Sequence, residues 1–291
     1  MTEYIMALGT FDGVHLGHVA LLREAAQMAK KLNIRAAAFT FADHPQERLT
    51  SQRVGLLCTL SQRIALLRKA GADMVAVENF ADICDLSPEE FVELLVTKYH
   101  VRGLVCGSDF RFGKGGKGDK KILANLCAAR HLSFSEISFV RDEAGQKISS
   151  GHIRSLVSAG AVDAAAELLG RPFFIEGEVR RGKGVARQWN TPTINLPLPE
   201  ELIIPRFGVY QSRVYIGDKG YEGITNVGCR PTFDDGACPN VETYILQGEF
   251  SKIRQAKVEL LRFIRPEKKF EDEKSLQLQI QKDIRFVKEL C

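Results

Sequence analysis

The chain has 291 residues, more than the roughly 100–200 of a usual single domain, so two domains are expected. With 45% hydrophobic and 26% charged residues, 25 Gly and 10 Pro, its composition excludes collagen-like, low-complexity and wholly disordered classes. Forty Lys and Arg against 36 Asp and Glu leave a net +4 with no run of five or six like charges, which suits a local anionic ligand and does not call for a nucleic-acid groove.

Tyr4 to Leu8 is the first of four short apolar runs that read as buried strands, followed by Ile34 to Phe41, Met74 to Val77 and Gly103 to Cys106. Between them Val19, Leu22, Ala25, Ala26 and Ala29 recur at helical spacing, as do Ile64 with Leu67 and Phe91 with Leu94 and Leu95. Up to about Phe139 this alternation predicts a parallel sheet with crossover helices. Ile148 to Leu169 reads as two short helices, the first capped by Ser149 or Ser150 and ended by Gly160, the second ended by Gly170. Beyond Gly170 apolar and polar residues alternate in Phe173 to Val179, Gly208 to Tyr215 and Val241 to Leu246, which predicts an antiparallel sheet or small barrel. Leu276, Ile280, Ile284, Val287 and Leu290 predict a closing amphipathic helix. The domain boundary is expected near Leu169 to Pro172, giving domains 1–170 and 171–291.

No apolar stretch reaches the roughly 18 residues of a membrane span, and the N-terminus lacks a signal-peptide pattern, so a cytoplasmic protein is expected. Seven cysteines, odd in number and without a C-x-x-C pair, predict reduced structural thiols and no zinc site.

Directly after the first strand comes Gly9-Thr10-Phe11-Asp12-Gly13-Val14-His15-Leu16-Gly17-His18, with a helical pattern beginning at about Gly17. A strand-to-helix corner of this kind aims free backbone N–H groups at the carboxyl edge of a parallel sheet. His15 and His18 are three apart, so both imidazoles reach one side of the first helical turn and can stabilise charge developing on a phosphate. The plainer reading is a Gly-rich turn with two surface histidines. Against it, two of the chain's six histidines fall within four residues here. A metal site would need further ligands that no nearby Cys or Glu supplies.

The H-x-G-H element at His15 to His18 resembles the nucleotidyltransferase superfamily. Its longer form, G-x-F-D-G-x-H-x-G-H, resembles the bacterial bifunctional riboflavin kinase/FMN adenylyltransferase (FAD synthetase) family. Thr40-Phe41 with His44-Pro45, Gly107 to Gly113, Ser149 to Arg154 and Leu169 to Pro172 follow in that family's order. The resemblance implies an α/β fold: an N-terminal Rossmann-like nucleotidyltransferase domain with a parallel sheet, and a C-terminal antiparallel riboflavin-kinase-like β-barrel with a C-terminal helix. It implies that His15, His18 and Arg154 act in catalysis, and that Gly9, Phe11, Gly17, His44, Ser149 and Ser150 bind ATP. Asp109, Phe110 and Arg111 would contact the flavin. A serine-opened helix with an arginine one turn on suits a leaving pyrophosphate, although capping alone explains the serines.

In the second half, Pro192-Thr193-Ile194-Asn195 resembles the P-T-A-N motif of riboflavin kinases, which implies Thr193 and Asn195 as Mg²⁺ ligands and Glu242 as the base for the ribityl hydroxyl. Gly182 and Gly184 fall where that family has its ATP-covering flap, and Gly208 to Tyr210 and Asn226 to Phe233 match other hallmark segments. Asn190, Thr191 and Ile194 depart from the family's G-F-P-T-A-N, and Val185 and Ala186 depart from its flap. The resemblance implies FAD synthesis by adenylylation of FMN, and phosphorylation of riboflavin to FMN, with ATP and flavins as small-molecule partners. The alternatives are a monofunctional adenylyltransferase whose barrel serves flavin binding or domain packing, and a non-catalytic flavin- or nucleotide-binding regulator. No nucleic-acid or membrane partner is expected, and at most a weak homo-oligomer.

Overall fold

Alternation of the two faces of the first strand organises the N-terminal half. In the computed structural model, β1 (Tyr4–Leu8) sends Ile5 and Ala7 into one hydrophobic cluster and Met6 and Leu8 into another, so it is buried on both sides. The structure describes residues 2–50, 52–180, 193–229, 239–248, 250, 253–268, 270 and 272–289. They form two compact units, Met1–Ser150 and Gly151–Cys291.

In the first unit, β1 leads to α1 (Leu16–Leu32), β2 (Arg35–Phe41), α2 (Pro45–Thr50), α3 (Leu60–Lys69), β3 (Met74–Glu78), α4 (Phe80–Ile83), α5 (Pro88–Tyr99), β4 (Val101–Gly107), α6 (Lys120–Ala129) and β5 (Ser133–Ile137). All five strands are parallel, in the order β3-β2-β1-β4-β5. The chain winds outward from β1 through β2 to β3, then crosses to the other side of β1. The carboxyl ends of β1 and β4 therefore flank the reversal of strand order, where open α/β sheets bind ligands.

Local signals set the helix limits. α1 ends at Asn33, whose left-handed conformation lets its N–H reach the carbonyls of Ala29 and Lys30. Reciprocal capping boxes open α3 at Thr59 and Gln62, and α5 at Ser87 and Glu90 with Pro88 behind the cap. Leu21, Leu22, Ala25 and Ala29 of α1 pack on Ile5, Ala7 and Ala36, and each fully buried large side chain there contributes about 1.5–3 kcal/mol. β5 is an element that the apolar runs do not announce: as an edge strand, Ser133–Ile137 is only half-buried and carries two serines and a glutamate.

The second unit begins with α7 (Ser150–Ala159) and α8 (Val162–Leu169), which precede the expected boundary near Leu169; α8 packs against the strands of this unit. Gly160, with φ of 86°, follows α7, and Gly170, with φ of 69°, caps α8, as the glycine positions predict. The sheet comprises β6 (Phe173–Glu178), β7 (Thr193–Pro197), β8 (Gly208–Ile216), β9 (Lys219–Cys229), β10 (Pro239–Ile245) and β11 (Gln255–Arg265), followed by α9 (Glu273–Glu289). It is antiparallel in the order β6-β11-β8-β9-β10-β7. Its two edges meet where Arg180 bridges Asn195, the Arg180 N–H donating to the Asn195 carbonyl at 2.9 Å, so the sheet curls into a barrel. Phe173, Ile194, Tyr210, Val227, Val241 and Leu260 fill the interior. The buried hydroxyls of Ser212, Thr225 and Thr243 satisfy one another there.

Gly208 explains one hallmark segment. Its φ is 150°, and an added Cβ would lie 2.4 Å from the Arg265 carbonyl oxygen, beside a register shift in the β8–β11 pairing.

Candidate active sites

The corner after β1 is built on unusual backbone. Phe11 and Val14 have φ of 53° and 41° and flank Gly13 at 78°. For a bulky and a β-branched residue this conformation costs on the order of 1–3 kcal/mol each, so the surroundings must enforce it. They do so through buried Asp12: its Oδ1 accepts the Leu57 N–H at 2.8 Å and its carbonyl accepts the Ser150 hydroxyl at 2.8 Å. The Gly13 N–H in turn donates to Cys58 Sγ at 3.2 Å.

That corner delivers His15 to the N-cap of α1. Its Nδ1 accepts the His18 N–H at 3.3 Å, which assigns the ring's proton, in the neutral form, to Nε2. The His15 and His18 rings stack with centroids 3.6 Å apart and planes 16° from parallel. Gly17 leaves room for this arrangement, because a Cβ there would lie 3.0 Å from His15 Cε1 and the ring would have to shift by a few tenths of an ångström. Phe11 is fully buried and meets His18 edge-on at 5.1 Å. Its ring thus supports His18 and is not exposed, which leaves the Phe11 backbone for the ATP contact that the resemblance implies.

Both histidines line a cavity of about 620 Å³ at the strand-order reversal, together with Gly9, Thr10, Gly17, Gly107, Ser149 and Ser150. Asp109, Phe110 and Arg111 line the same cavity. So do Phe112 and Phe139, which the motifs did not single out; Phe110 stacks on Phe112 at 5.7 Å, and Lys147 Nζ sits 3.9 Å over the Phe139 ring while pairing with Asp109. The cavity therefore joins polar phosphate-sized groups to an aromatic wall. His44 is not among the residues lining it; its Nδ1 accepts the Gln46 N–H at 3.2 Å at the start of α2. Arg154 lies on the first turn of α7, one turn after Ser150.

Cys58, Cys84, Cys106, Cys127 and Cys229 carry no disulfide among the described residues. Burial pushes the Cys106 thiol up to about 12 and Cys127 to about 11, so both remain neutral packing groups.

The second site is a row across the barrel's outer face. Asn195 of β7 pairs with Glu242 of β10, which pairs with Asn226 of β9, then Val209 of β8 and Arg265 of β11. Directly opposed residues project from the same face of a sheet, so Glu242 stands between Asn195 and Asn226, and Thr193 lies opposite Tyr244 one step along. A cavity of about 190 Å³ is lined by Glu242, Asn226, Tyr244, Arg265 and, from α9, Ile280 and Asp283. Burial, then the neighbouring Glu242 charge, pushes the Tyr244 phenol up to about 12. Arg265 forks onto Asp283 at 2.7–3.2 Å, which ties α9 to this face.

Thr193, Asn195 and Glu242 thus offer oxygen donors on one face, a set that fits a hard cation sharing its remaining positions with water and phosphate. Asn195 Oδ1 is oriented by the Asn240 side-chain amide at 3.1 Å. Gly182, Gly184, Val185, Ala186, Asn190, Thr191 and the segment from Arg230 to Phe233 lie outside the described residues.

Comparisons with known proteins fall along the same division. Residues 1–152 match the FAD synthetase family and residues 169–291 the riboflavin kinase family. The chain is 34% identical over 287 residues to a bifunctional riboflavin kinase/FMN adenylyltransferase of Listeria monocytogenes, covering 96% of this chain and 90% of the relative. It is also 34% identical over 286 residues to a protein of that description from Bacillus subtilis, with the same coverages. Among solved structures it is similar to a Streptococcus pneumoniae protein described as a macrolide-efflux protein, at TM-score 0.88 and 28% identity, covering 99% of this chain and 94% of that one. No helix among the described residues is long and apolar enough to cross a membrane.

Proposed function

Because the chain belongs to the family of bifunctional riboflavin kinase/FMN adenylyltransferases, we propose that residues 1–170 and 171–291 divide two consecutive reactions between them. The protein is a transferase of FAD biosynthesis: riboflavin and ATP give FMN and ADP, and FMN and ATP give FAD and pyrophosphate. The stacked imidazole pair on the aromatic-walled cavity is the observation that carries the residue assignment.

In the adenylyl-transfer step an FMN phosphate oxygen attacks the α-phosphorus of ATP, and the bond to the β-phosphate oxygen breaks. His15 donates through Nε2, because its Nδ1 is engaged by the His18 amide. The His18 ring, stacked on that of His15, meets the same phosphates, so both rings face charge that grows on the non-bridging oxygens. Gly9 and Gly17 let the nucleotide approach backbone closely, and Ser149, Ser150 and Arg154 receive the pyrophosphate. Phe110, backed by Phe112, stacks on the isoalloxazine while Asp109 and Arg111 contact its polar edge; the aromatic lining supports this placement.

In the kinase step Glu242 orients the terminal ribityl hydroxyl and accepts its proton as the oxygen attacks the γ-phosphorus, and the bond from that phosphorus to the β,γ-bridging oxygen breaks to release ADP. Thr193 and Asn195 would hold Mg²⁺, which would neutralise phosphate charge. Gly182 and Gly184 cover the phosphates. Chromatographic assays of FMN made from riboflavin, and of FAD made from FMN, test the two assignments separately. FAD formation by His18→Ala at the wild-type rate would sink the first, and undiminished FMN formation by Glu242→Gln the second.

A further inference from the structure

Arg63 is the largest fully buried side chain among the described residues, 2% exposed on α3, and the reactions above leave it without a task. Its Nη1 donates to the Thr10 carbonyl at 3.2 Å, the Thr40 hydroxyl at 3.2 Å and the Phe41 carbonyl at 2.8 Å. Among the described residues Nε and Nη2 have no hydrogen-bond partner, and no carboxylate forms an ion pair with the guanidinium. A buried arginine is permanently charged, and a charge withdrawn from water without a counter-ion is strongly unfavourable. Such a group points to a negative charge that arrives from outside the chain.

Its position says where. Thr10 and Phe41 both line the large cavity, so the guanidinium lies directly beneath the cavity floor, at the carboxyl ends of β1 and β2. The Thr10 carbonyl is held down twice, by Arg63 and by the Thr40 hydroxyl at 2.8 Å. In a trans peptide the N–H points opposite to the C=O, so this clamp turns the Phe11 N–H away from Arg63. Phe11 then continues at φ of 53° into the strained corner that places His15 and His18.

We propose that Arg63 is a positioning residue for the nucleotide: it supplies buried positive charge beneath the triphosphate and clamps the Thr10 carbonyl so that the corner backbone presents donors to it. In a site of low dielectric such a charge acts through the floor without touching the ligand. Before nucleotide binds, its charge is uncompensated; binding of an anion relieves that cost and so couples affinity for phosphate to the integrity of the corner. The inference rests on the adenylyl-transfer reading for the residues it serves, but the charge argument requires only an anion in the cavity.

The test uses the full-length chain with Arg63→Met, which keeps length and removes charge, and Arg63→Lys, which keeps charge and removes the fork. Calorimetry with ATP and with inorganic pyrophosphate, both with Mg²⁺, reads binding directly; the thermal unfolding transition of the first unit, followed in the same preparations, reports that the part of the chain holding Arg63 is folded. Arg63→Met should weaken both anions about 10-fold or more and raise KM for ATP in FAD formation while KM for FMN stays within about twofold, with Arg63→Lys intermediate. Unchanged anion affinity in Arg63→Met, or equal losses for ATP and FMN, would overturn the proposal. Should Arg63→Met fail to fold, Arg63→Lys and Thr40→Val decide: a selective loss of ATP affinity supports it, and wild-type affinity in both refutes it. If the wild-type chain made no FAD from FMN, the functional reading would fall, and the pyrophosphate titrations would still judge Arg63.

Discussion

The two catalytic regions are assembled in opposite ways. The N-terminal corner takes its central residues from a run of ten, Gly9 to His18, whose strained backbone is held by distant groups at Leu57, Cys58 and Ser150. The barrel site takes its residues from five neighbouring strands and a helix, from Thr193 to Asp283, and inter-strand register brings them into a row. A site made by a local turn is vulnerable to anything that relaxes that turn. A site made by register is vulnerable to anything that slides a strand, however far from the chemistry.

Substitutions that silence one region and spare the other break the comparison most sharply. Glu242→Gln should lower FMN formation from riboflavin by about 10²–10⁴-fold, the usual range for a lost general base, while FAD formation from supplied FMN persists. His18→Ala should do the converse, reducing FAD formation about 10²–10³-fold with riboflavin phosphorylation intact. Both are read by product chromatography from separate substrates.

Stability measurements sharpen the contrast between turn and register. Gly208→Ala forces a Cβ against the Arg265 carbonyl and should destabilise the barrel by about 1–3 kcal/mol, lowering its melting temperature and its kinase rate together, because Arg265 anchors both the row and α9. Thr59→Ala removes the cap of α3 and should cost about 1 kcal/mol, with the effect confined to the first unit and to FAD formation.

The smallest effect is in acid. The Asp119 carboxylate accepts the Ile122 and Lys121 N–H groups at the start of α6, and these backbone hydrogen bonds hold it below the usual carboxylate range. A depressed folded value means that its contribution is present above the unfolded value and lost as pH falls through the folded one. Asp119→Asn should therefore lower the first unit's melting temperature slightly near neutral pH, leave it unchanged in strong acid, and so flatten the acid limb.

Much of this molecule was legible before any coordinates. The four apolar runs, the corner and the serine pair follow from periodicity and turn chemistry, which act over a few residues. β5 escaped because an edge strand is buried on neither face fully, so its sequence has no reason to be apolar. Phe139 and Lys147 escaped for a different reason: they reach the cavity from a loop without any motif, and only the cation–π contact and the Asp109 ion pair reveal them. Arg63 reads in sequence as one of several basic residues on an amphipathic helix, and nothing local shows that it is buried without a counter-ion.

The amino-acid order alone determined the division into an α/β half and a β half and the histidine pair, which are written in residue type and short spacing, while Thr193, Asn195 and Glu242 came together only through the resemblance to riboflavin kinases. Only the tertiary structure decided that the Phe11 ring is buried against His18, that Asn195, Glu242 and Asn226 share one face, and that Arg63 lies beneath the corner after β1. Those are consequences of which segments pack together, and packing joins residues far apart in the chain whose pairing leaves no periodic trace.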